Sequence, residues 1–344
     1  MLEQRKSEHL RINLEKDVNF PRLTTGLEHF HFVHNALPDL SLTDVDLTHN
    51  FLGKELRLPL LISSMTGGTA EAQRINYHLA EGAQEAGIAM GLGSLRAALE
   101  ASHLADTFRI RHLAPDILLF ANLGAAQLNA GFDVKHCQLA IDLAEADALI
   151  LHLNPLQEAL QEDGDTDWRG LLGKIEAVCH QVDAPVVVKE VGWGISAPVA
   201  KQLVDAGVTA IDVAGAGGTS WSQVEMHRAP TERLRRLCSQ FEDWGLPTAM
   251  ALVEVRAALP GVPVIASGGL RSGMDFAKVL ALGAELGGLA GPFLKAASTS
   301  AQEVVDLTTE LADVLRTVMF ALGIGDIRSL QGTSSLLRTS GSRL

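Results

Sequence analysis

Apolar residues recur along the chain as eight short, nearly continuous runs, each followed by a polar or glycine-rich turn and then a longer stretch of mixed character. The runs lie at 59–66 (PLLISSMT), 88–94 (IAMGLGS), 117–124 (ILLFANLG), 148–154 (ALILHLN), 185–191 (PVVVKEV), 210–217 (AIDVAGAG), 263–269 (PVIASGG) and 285–292 (ELGGLAGP). Continuous apolar character is how a parallel strand buried on both faces reads. The stretches between them carry helical spacing. In 70–86, Ile75, Leu79, Ala83 and Ala86 recur at three and four residues; in 274–282, Phe276, Val279 and Leu280 share one side. Eight strand–helix units predict a closed (β/α)8 TIM barrel. A doubly wound open sheet is the competing arrangement, but its GxGxxG turn is absent, since the first run ends in MTGGT.

The polar and glycine positions fall at the carboxyl ends of the runs: Thr66, Ser94, Asn122, Asn154, Lys189, Gly215, Gly217, Gly218 and Gly268–Gly269. Barrels of this class build their active sites on that face. The pattern divides the 344 residues into a single unit: an N-terminal extension over 1–58, the barrel over 59–325, and a Ser/Thr/Gly-rich tail over 326–344 expected to be mobile. A long insertion after the sixth run, 219–248, carries Trp221 and Trp244.

Composition narrows the function. Lys plus Arg number 28 against 41 acidic residues, a formal charge of −13, which argues against a nucleic-acid or anionic-membrane partner. It leaves room for a small anionic ligand held by backbone N–H groups and a few cations. Three scattered cysteines, Cys137, Cys179 and Cys238, without a CxxC motif point to a reducing, cytoplasmic setting. The charged start MLEQRKSEHLRINLEKD does not read as a signal peptide, and no apolar run approaches the roughly 20 residues of a membrane span.

The glycine turns ASGGLRSG and LAGPFL, at the last two runs, stand where barrels usually bind phosphate. The helix expected to begin near Ser272 would add its positive end. Lys189, late in an apolar strand, is costly there unless it faces a polar site. It suits a ring system that gathers negative charge; an ion pair with Glu190 is the plainer alternative. Asn122, Asn154 and Gln157 offer orienting amides, and Glu158 is either a Mg2+ ligand beside phosphate or an ordinary acid at a proline-initiated helix start. Arg5, Lys6, His9 and Arg96 are candidate diphosphate contacts. The histidines at 29, 31 and 34 have a metal-like spacing that alternation in an extended segment explains equally well.

In order along the chain, RKSEHL, FVHNALPDL, ISSMTGGT, GLGSLRAALE, HLNPLQEALQEDGDTDWRG, VVVKEVGWGIS, DVAGAGGTSW, ASGGLRSGMDFAKVLALGA and GPFL resemble the type 2 isopentenyl diphosphate isomerases, FMN enzymes on a TIM barrel. The resemblance covers residue 5 to about residue 294. It implies FMN held by Ser64, Met65, Thr66, Ser94, Asn122, Lys189 and Thr219, with its phosphate at Gly269, Leu270, Arg271, Ala290 and Gly291. The substrate diphosphate would meet Arg5, Lys6, Ser94, Leu95, Arg96 and Gln157, with Mg2+ on Glu158. Gln157, Lys189, His152 and Asn154 would form the catalytic set, with NADPH as reductant.

Two positions depart from the family's commoner pattern: Ala214 replaces a flavin-contacting serine, and AGP replaces a stretch with arginine before the proline. The implied reaction is a 1,3-allylic proton shift between isopentenyl and dimethylallyl diphosphate, with reduced FMN as acid and base and no net redox. Homotetramers or larger assemblies are expected. The alternatives are an FMN-barrel oxidoreductase of the 2-hydroxy acid oxidase or dihydroorotate dehydrogenase type, and a flavin-binding sensor without turnover.

Overall fold

The computed structural model describes residues 2–339, with side chains from residue 5 onward. Eight parallel strands close a barrel: β4 (Leu60–Ile62), β5 (Ala89–Gly91), β6 (Leu119–Gly124), β7 (Ala148–His152), β8 (Val186–Lys189), β9 (Ala210–Asp212), β10 (Val264–Ser267) and β11 (Leu286–Leu289), which returns to β4. Each falls inside one of the eight apolar runs. The strands are shorter than the runs because the polar and glycine ends turn away as loops.

Four further strands precede or follow the barrel. β2 (His49–Phe51) and β3 (Lys54–Leu56) form an antiparallel hairpin, and β1 (Phe30–Phe32) pairs antiparallel with β12 (Leu336–Arg338). The hairpin plugs the amino end of the barrel, since Phe51 and Leu56 pack into the same buried cluster as the inward-facing strand residues.

The helices outside the strands are α1 (Leu2–Glu15), α2 (Ala70–Ala86), α3 (Arg96–Glu100), α4 (Val134–Ala144), α5 (Pro155–Ala159), α6 (Leu171–Gln181) and α7 (Ala197–Asp205). They continue as α8 (Trp221–Arg228), α9 (Glu232–Ser239), α10 (Thr248–Ala258), α11 (Gly273–Ala281), α12 (Gly291–Thr299), α13 (Ala301–Leu322) and α14 (Ile327–Leu330). Local chemistry sets their ends. The Thr69 hydroxyl caps α2 by accepting from Ala72 N–H, and Gly87, at φ 68°, closes it in the left-handed conformation. The face carrying Ile75, Leu79 and Ala83 is buried against the outer layer of strand side chains. The expected insertion is α8 and α9, placed between β9 and the barrel helix α10.

Two parts of the molecule are more regular than the sequence suggests. The N-terminal extension, without clear periodicity, begins with the 14-residue helix α1. The tail expected to be mobile instead carries α14 and β12 over its described part; Phe30 pairs with Arg338 and Phe32 with Leu336. That pairing joins segments some three hundred residues apart, so no local pattern announces it. The remainder of the tail, 340–344, lies outside the described residues. His31 sits within β1 between buried Phe30 and half-buried Phe32, which is the alternation reading of the histidine cluster. Among the described residues no group of three or more His, Cys, Asp or Glu could hold a metal.

Candidate active site

The barrel interior is layered, and the layering builds the site. One buried cluster collects the inward residues Leu61, Ala89, Phe120, Ile150, Val187, Ala210, Ile265 and Leu286, one from each strand. Side chains alternate along a strand, so the next inward position lies two residues on. Those positions are Ser63, Gly91, Asn122, His152, Lys189, Asp212, Ser267 and Gly288. An apolar plug is thus topped by a polar ring facing the carboxyl mouth.

Above the ring opens a cavity of about 350 Å3. Ligand pockets are commonly about 300–1,000 Å3, so the space is of ligand-binding size. Its walls include Ser64, Met65, Thr66, Ser94, Asn122, His152, Asn154, Lys189 and Thr219. They also include Gln157, Glu158, Arg5, Lys6, Arg96, Gly269, Leu270, Arg271, Ala290 and Gly291. Leu95 is the exception. Its side chain is buried elsewhere, and its N–H donates to the Asn122 carbonyl at 2.8 Å, so this residue offers nothing to a ligand.

Polar atoms in the wall are left for a ligand. Ser63 Oγ, Ser64 Oγ and Asn154 Oδ1 are buried without a partner among the described residues. Such atoms are costly unless something completes them.

The two glycine turns differ in what they offer an anion. The amino end of α11 is already closed: Ser272 Oγ accepts from Asp275 N–H, while Asp275 Oδ2 accepts from the N–H groups of Arg271 and Ser272, both at 3.1 Å. The helix expected to lend its positive end there is therefore occupied by its own capping box. The amino end of α12 has no side-chain cap, and Gly291, in its first turn, has nothing within 4 Å of where a Cβ would stand. Gly269, at φ 77°, turns the β10 loop toward the same space. An anion fits at α12 and at the Gly269 turn.

Opposite lies a cationic and amide-rich wall. Asn154 Nδ2 donates to Gln157 Oε1 at 3.1 Å and to Glu158 Oε1 at 2.8 Å. Glu158 Oε2 accepts from Asp165 N–H at 2.7 Å. Arg96 reaches Asp165 at 3.0 Å and Glu100 at 2.7 Å. Helix α1 brings in Arg5, which donates to Gln161, and Lys6, whose Nζ donates to the Ser94 carbonyl at 2.9 Å and lies 5.0 Å over the Phe108 ring. Burial, with Arg5 nearby, pushes the Lys6 ammonium down to about 7.

At the floor, His152 Nδ1 and Asn122 Oδ1 are 2.8 Å apart. Burial, then Lys189 and Lys6, push the imidazole down to about 3, so it is neutral and Nε2 can accept. Lys189 Nζ donates to the Glu190 carbonyl. The ion pair with the Glu190 carboxylate does not form, because Glu190 Oε2 accepts the N–H groups of Val191, Gly192 and Trp193 at 2.6, 2.7 and 2.5 Å.

Sequence reasoning overlooked several members. Asp212 belongs to the inward ring, legible only by counting two residues on from Ala210. Glu225, in the insertion, accepts from Gln157 at 3.0 Å and from Arg228 at 2.6 Å, and sits 3.1 Å from His9 Nε2; no sequence signal marks it. Ala214, one of the two departures from the family pattern, lines the cavity at φ 38°, a conformation costing a non-glycine residue roughly 1–2 kcal/mol.

The sequence profile of the FMN-dependent dehydrogenase family matches residues 1–107 and 138–338. A protein of a Synechococcus species called isopentenyl-diphosphate delta-isomerase is 56% identical over 330 residues, covering 96% of this chain and 95% of its own. Proteins of the same name from a Nostoc species and from Rickettsia canadensis are 53% and 50% identical; they cover 98% and 95% of this chain, and 96% and 95% of their own. Among solved structures, a flavocytochrome b2 superposes with a TM-score of 0.70 at 18% identity, covering 97% of this chain and 83% of its own. A mandelate oxidase superposes with a TM-score of 0.66 at 21% identity, covering 99% and 98%. These two likenesses concern the fold.

Proposed function

The chain belongs to the isopentenyl-diphosphate delta-isomerases, within the FMN-dependent dehydrogenase family of barrels, and we propose that it interconverts isopentenyl and dimethylallyl diphosphate at the mouth described above. The observation that carries this reading is one convergence. A buried cation, a neutral imidazole and an anion-ready helix end share one cavity, in a chain more than half identical to relatives of that name.

The unpartnered serine and amide oxygens, the open amino end of α12 and the Lys189 cation suit FMN. Ser64, Met65, Thr66, Ser94, Asn122 and Thr219 would hold its ring and ribityl chain, and Gly269, Leu270, Arg271, Ala290 and Gly291 its phosphate. Reduced by NADPH, the flavin supplies a proton donor and acceptor without net redox. Lys189 stabilises negative charge on the reduced ring.

The substrate must lose a proton from the carbon next to the diphosphate-bearing one and gain one at its terminal methylene. Arg5, Lys6 and Arg96 would hold the diphosphate, and Glu158, whose buried carboxylate lines the cavity, would hold Mg2+ beside it. Gln157 positions the alkene end, fixed from behind by Glu225 and Asn154. His152 accepts through Nε2 and excludes charge from the apolar part of the substrate. A cytoplasmic setting agrees with three free cysteines whose thiols burial pushes up. A homo-oligomer agrees with exposed Val33, Leu37 and Leu337 around the β1–β12 ribbon.

The test is anaerobic incubation of the FMN-loaded protein with NADPH, Mg2+ and isopentenyl diphosphate, in D2O. Dimethylallyl diphosphate with deuterium in its new methyl group supports the reading. Absence of product, with turnover of a 2-hydroxy acid instead, overturns it.

A further inference from the structure

Lys189 is buried on the polar ring, and a buried ammonium needs a counter-charge. Two neighbouring carboxylates could supply one. That of Glu190 is taken by three backbone N–H groups in the next loop, and its side chain follows the outward step of β8. Asp212 remains. It is paired in register with Lys189 across β8 and β9 and occupies the same inward ring.

Asp212 is 1% exposed. Its Oδ1 accepts the Ser267 hydroxyl at 2.7 Å and the Ala214 N–H at 3.2 Å, while Oδ2 is buried without a partner among the described residues. Asp212 does not reach the cavity; Lys189, Ser267 and Ala214, around it, all do. Nothing in the apolar layer below, Val187, Ala210 and Ile265, accounts for a carboxylate at this point. Its hydrogen bonds also hold the strained Ala214 backbone and the hydroxyl at the start of the Gly268–Gly269 turn.

We propose that Asp212 is a positioning residue beneath the mouth: its free oxygen is the counter-charge that keeps Lys189 cationic, and its other oxygen fixes Ala214 and Ser267 in the wall above. This rests on the role given to Lys189. Electrostatics couple the two groups: burial depresses the Lys189 ammonium, with Asp212 the foremost group opposing that, ahead of Glu190, and burial raises the Asp212 carboxyl, with Lys189 the foremost group opposing that. The charged group bearing on the pair from outside it is Glu190, in the loop after β8; Lys189 and, from α1, Lys6 both bear on His152 of β7.

The experiment measures the pH at which the fully reduced, FMN-loaded protein passes from neutral to anionic reduced flavin, by absorbance, in wild type, Lys189→Gln, Asp212→Asn and Ser267→Ala. Circular dichroism is recorded for each. Two effects of Asp212→Asn have opposite signs. If the carboxylate only repels the flavin anion, its removal shifts the ionisation to lower pH. If it sustains Lys189 as a cation, its removal costs the flavin a positive neighbour and shifts the ionisation to higher pH.

The expected result is an upward shift for Asp212→Asn approaching that of Lys189→Gln. Ser267→Ala gives a smaller shift of the same sign, because losing that hydrogen bond favours the protonated carboxyl. A downward or absent shift in both Asp212→Asn and Ser267→Ala, with Lys189→Gln shifted upward, overturns the assignment of Asp212 alone. No shift in Lys189→Gln overturns the lysine's role and this proposal with it. Should Asp212→Asn fail to fold, the sign seen in Ser267→Ala decides.

Discussion

His152 and Asn122 hold each other on the floor of the mouth, Nδ1 to Oδ1 at 2.8 Å, and this contact fixes which ring nitrogen faces the ligand. With Nδ1–H donated to the amide, Nε2 is left as an acceptor on a ring held neutral down to about pH 3. The unfolded chain protonates the same residue near 6.5. Between those values the unfolded state binds the extra proton, so stability falls as pH drops from about 6.5 to about 3. Against His152→Gln, wild type should lose its relative stability progressively over that window in denaturant titrations. A difference independent of pH would contradict the neutral assignment.

Lys6 makes a second pH-dependent prediction. Burial brings its ammonium down to about 7, so near neutrality the free protein holds it only partly charged. A diphosphate beside it favours the cation, and binding should take up protons between about pH 7 and 8. Calorimetry with inorganic diphosphate and Mg2+, in buffers of different ionisation enthalpy, reads that uptake. Lys6→Met should remove most of it and weaken binding about tenfold or more, in line with a charged hydrogen bond of ~1.5–3 kcal/mol. Equal proton uptake in both proteins would contradict this placement.

Gly291 tests the phosphate site without disturbing packing, because its Cβ position is open. Gly291→Glu should leave the fold intact and weaken FMN binding at least tenfold by charge repulsion. Gly291→Arg should bind FMN as tightly as wild type or more so. Flavin fluorescence titration measures both; identical affinities in the two variants would place the phosphate elsewhere.

Glu158 separates metal from flavin. Glu158→Gln keeps the size of the side chain and one acceptor oxygen, for either Asn154 Nδ2 or Asp165 N–H, but removes the charge that Mg2+ requires. The Mg2+ concentration needed for half-maximal activity should rise tenfold or more with FMN content unchanged. Concurrent loss of flavin would make this residue a structural acid.

The strand positions were legible because a parallel barrel strand is apolar on both faces, and the site's floor follows from stepping two residues beyond the core layer, as Val187 leads to Lys189 and Ile150 to His152. Asp212 escaped notice because AIDVAGAG reads as a strand ending in glycines, and its carboxylate gains meaning only opposite Lys189. Glu225 was invisible for another reason. It reaches the site from the insertion, where His9 of α1 and Gln157 of α5 meet it through tertiary packing. Helix α1 has no regular apolar stripe, since one face carries Arg5, Lys6, His9 and Asn13 toward the cavity. The 336–338 strand exists only against 30–32, and the capping box of α11 occupies the helix end that ASGGLRSG suggested for an anion, leaving the Gly269 turn and the uncapped α12.

If the barrel mouth moves protons without consuming electrons, with Lys189 sustaining the reduced cofactor, turnover needs no reductant beyond what first reduces the flavin. Reductant stoichiometry measures this. The FMN-loaded protein is reduced under anaerobic conditions with one equivalent of NADPH per flavin, then given a large excess of isopentenyl diphosphate and Mg2+. Many product molecules per NADPH, with the flavin spectrum still reduced at the end, is the predicted result; one NADPH consumed per product, or flavin reoxidised as product forms, would contradict it.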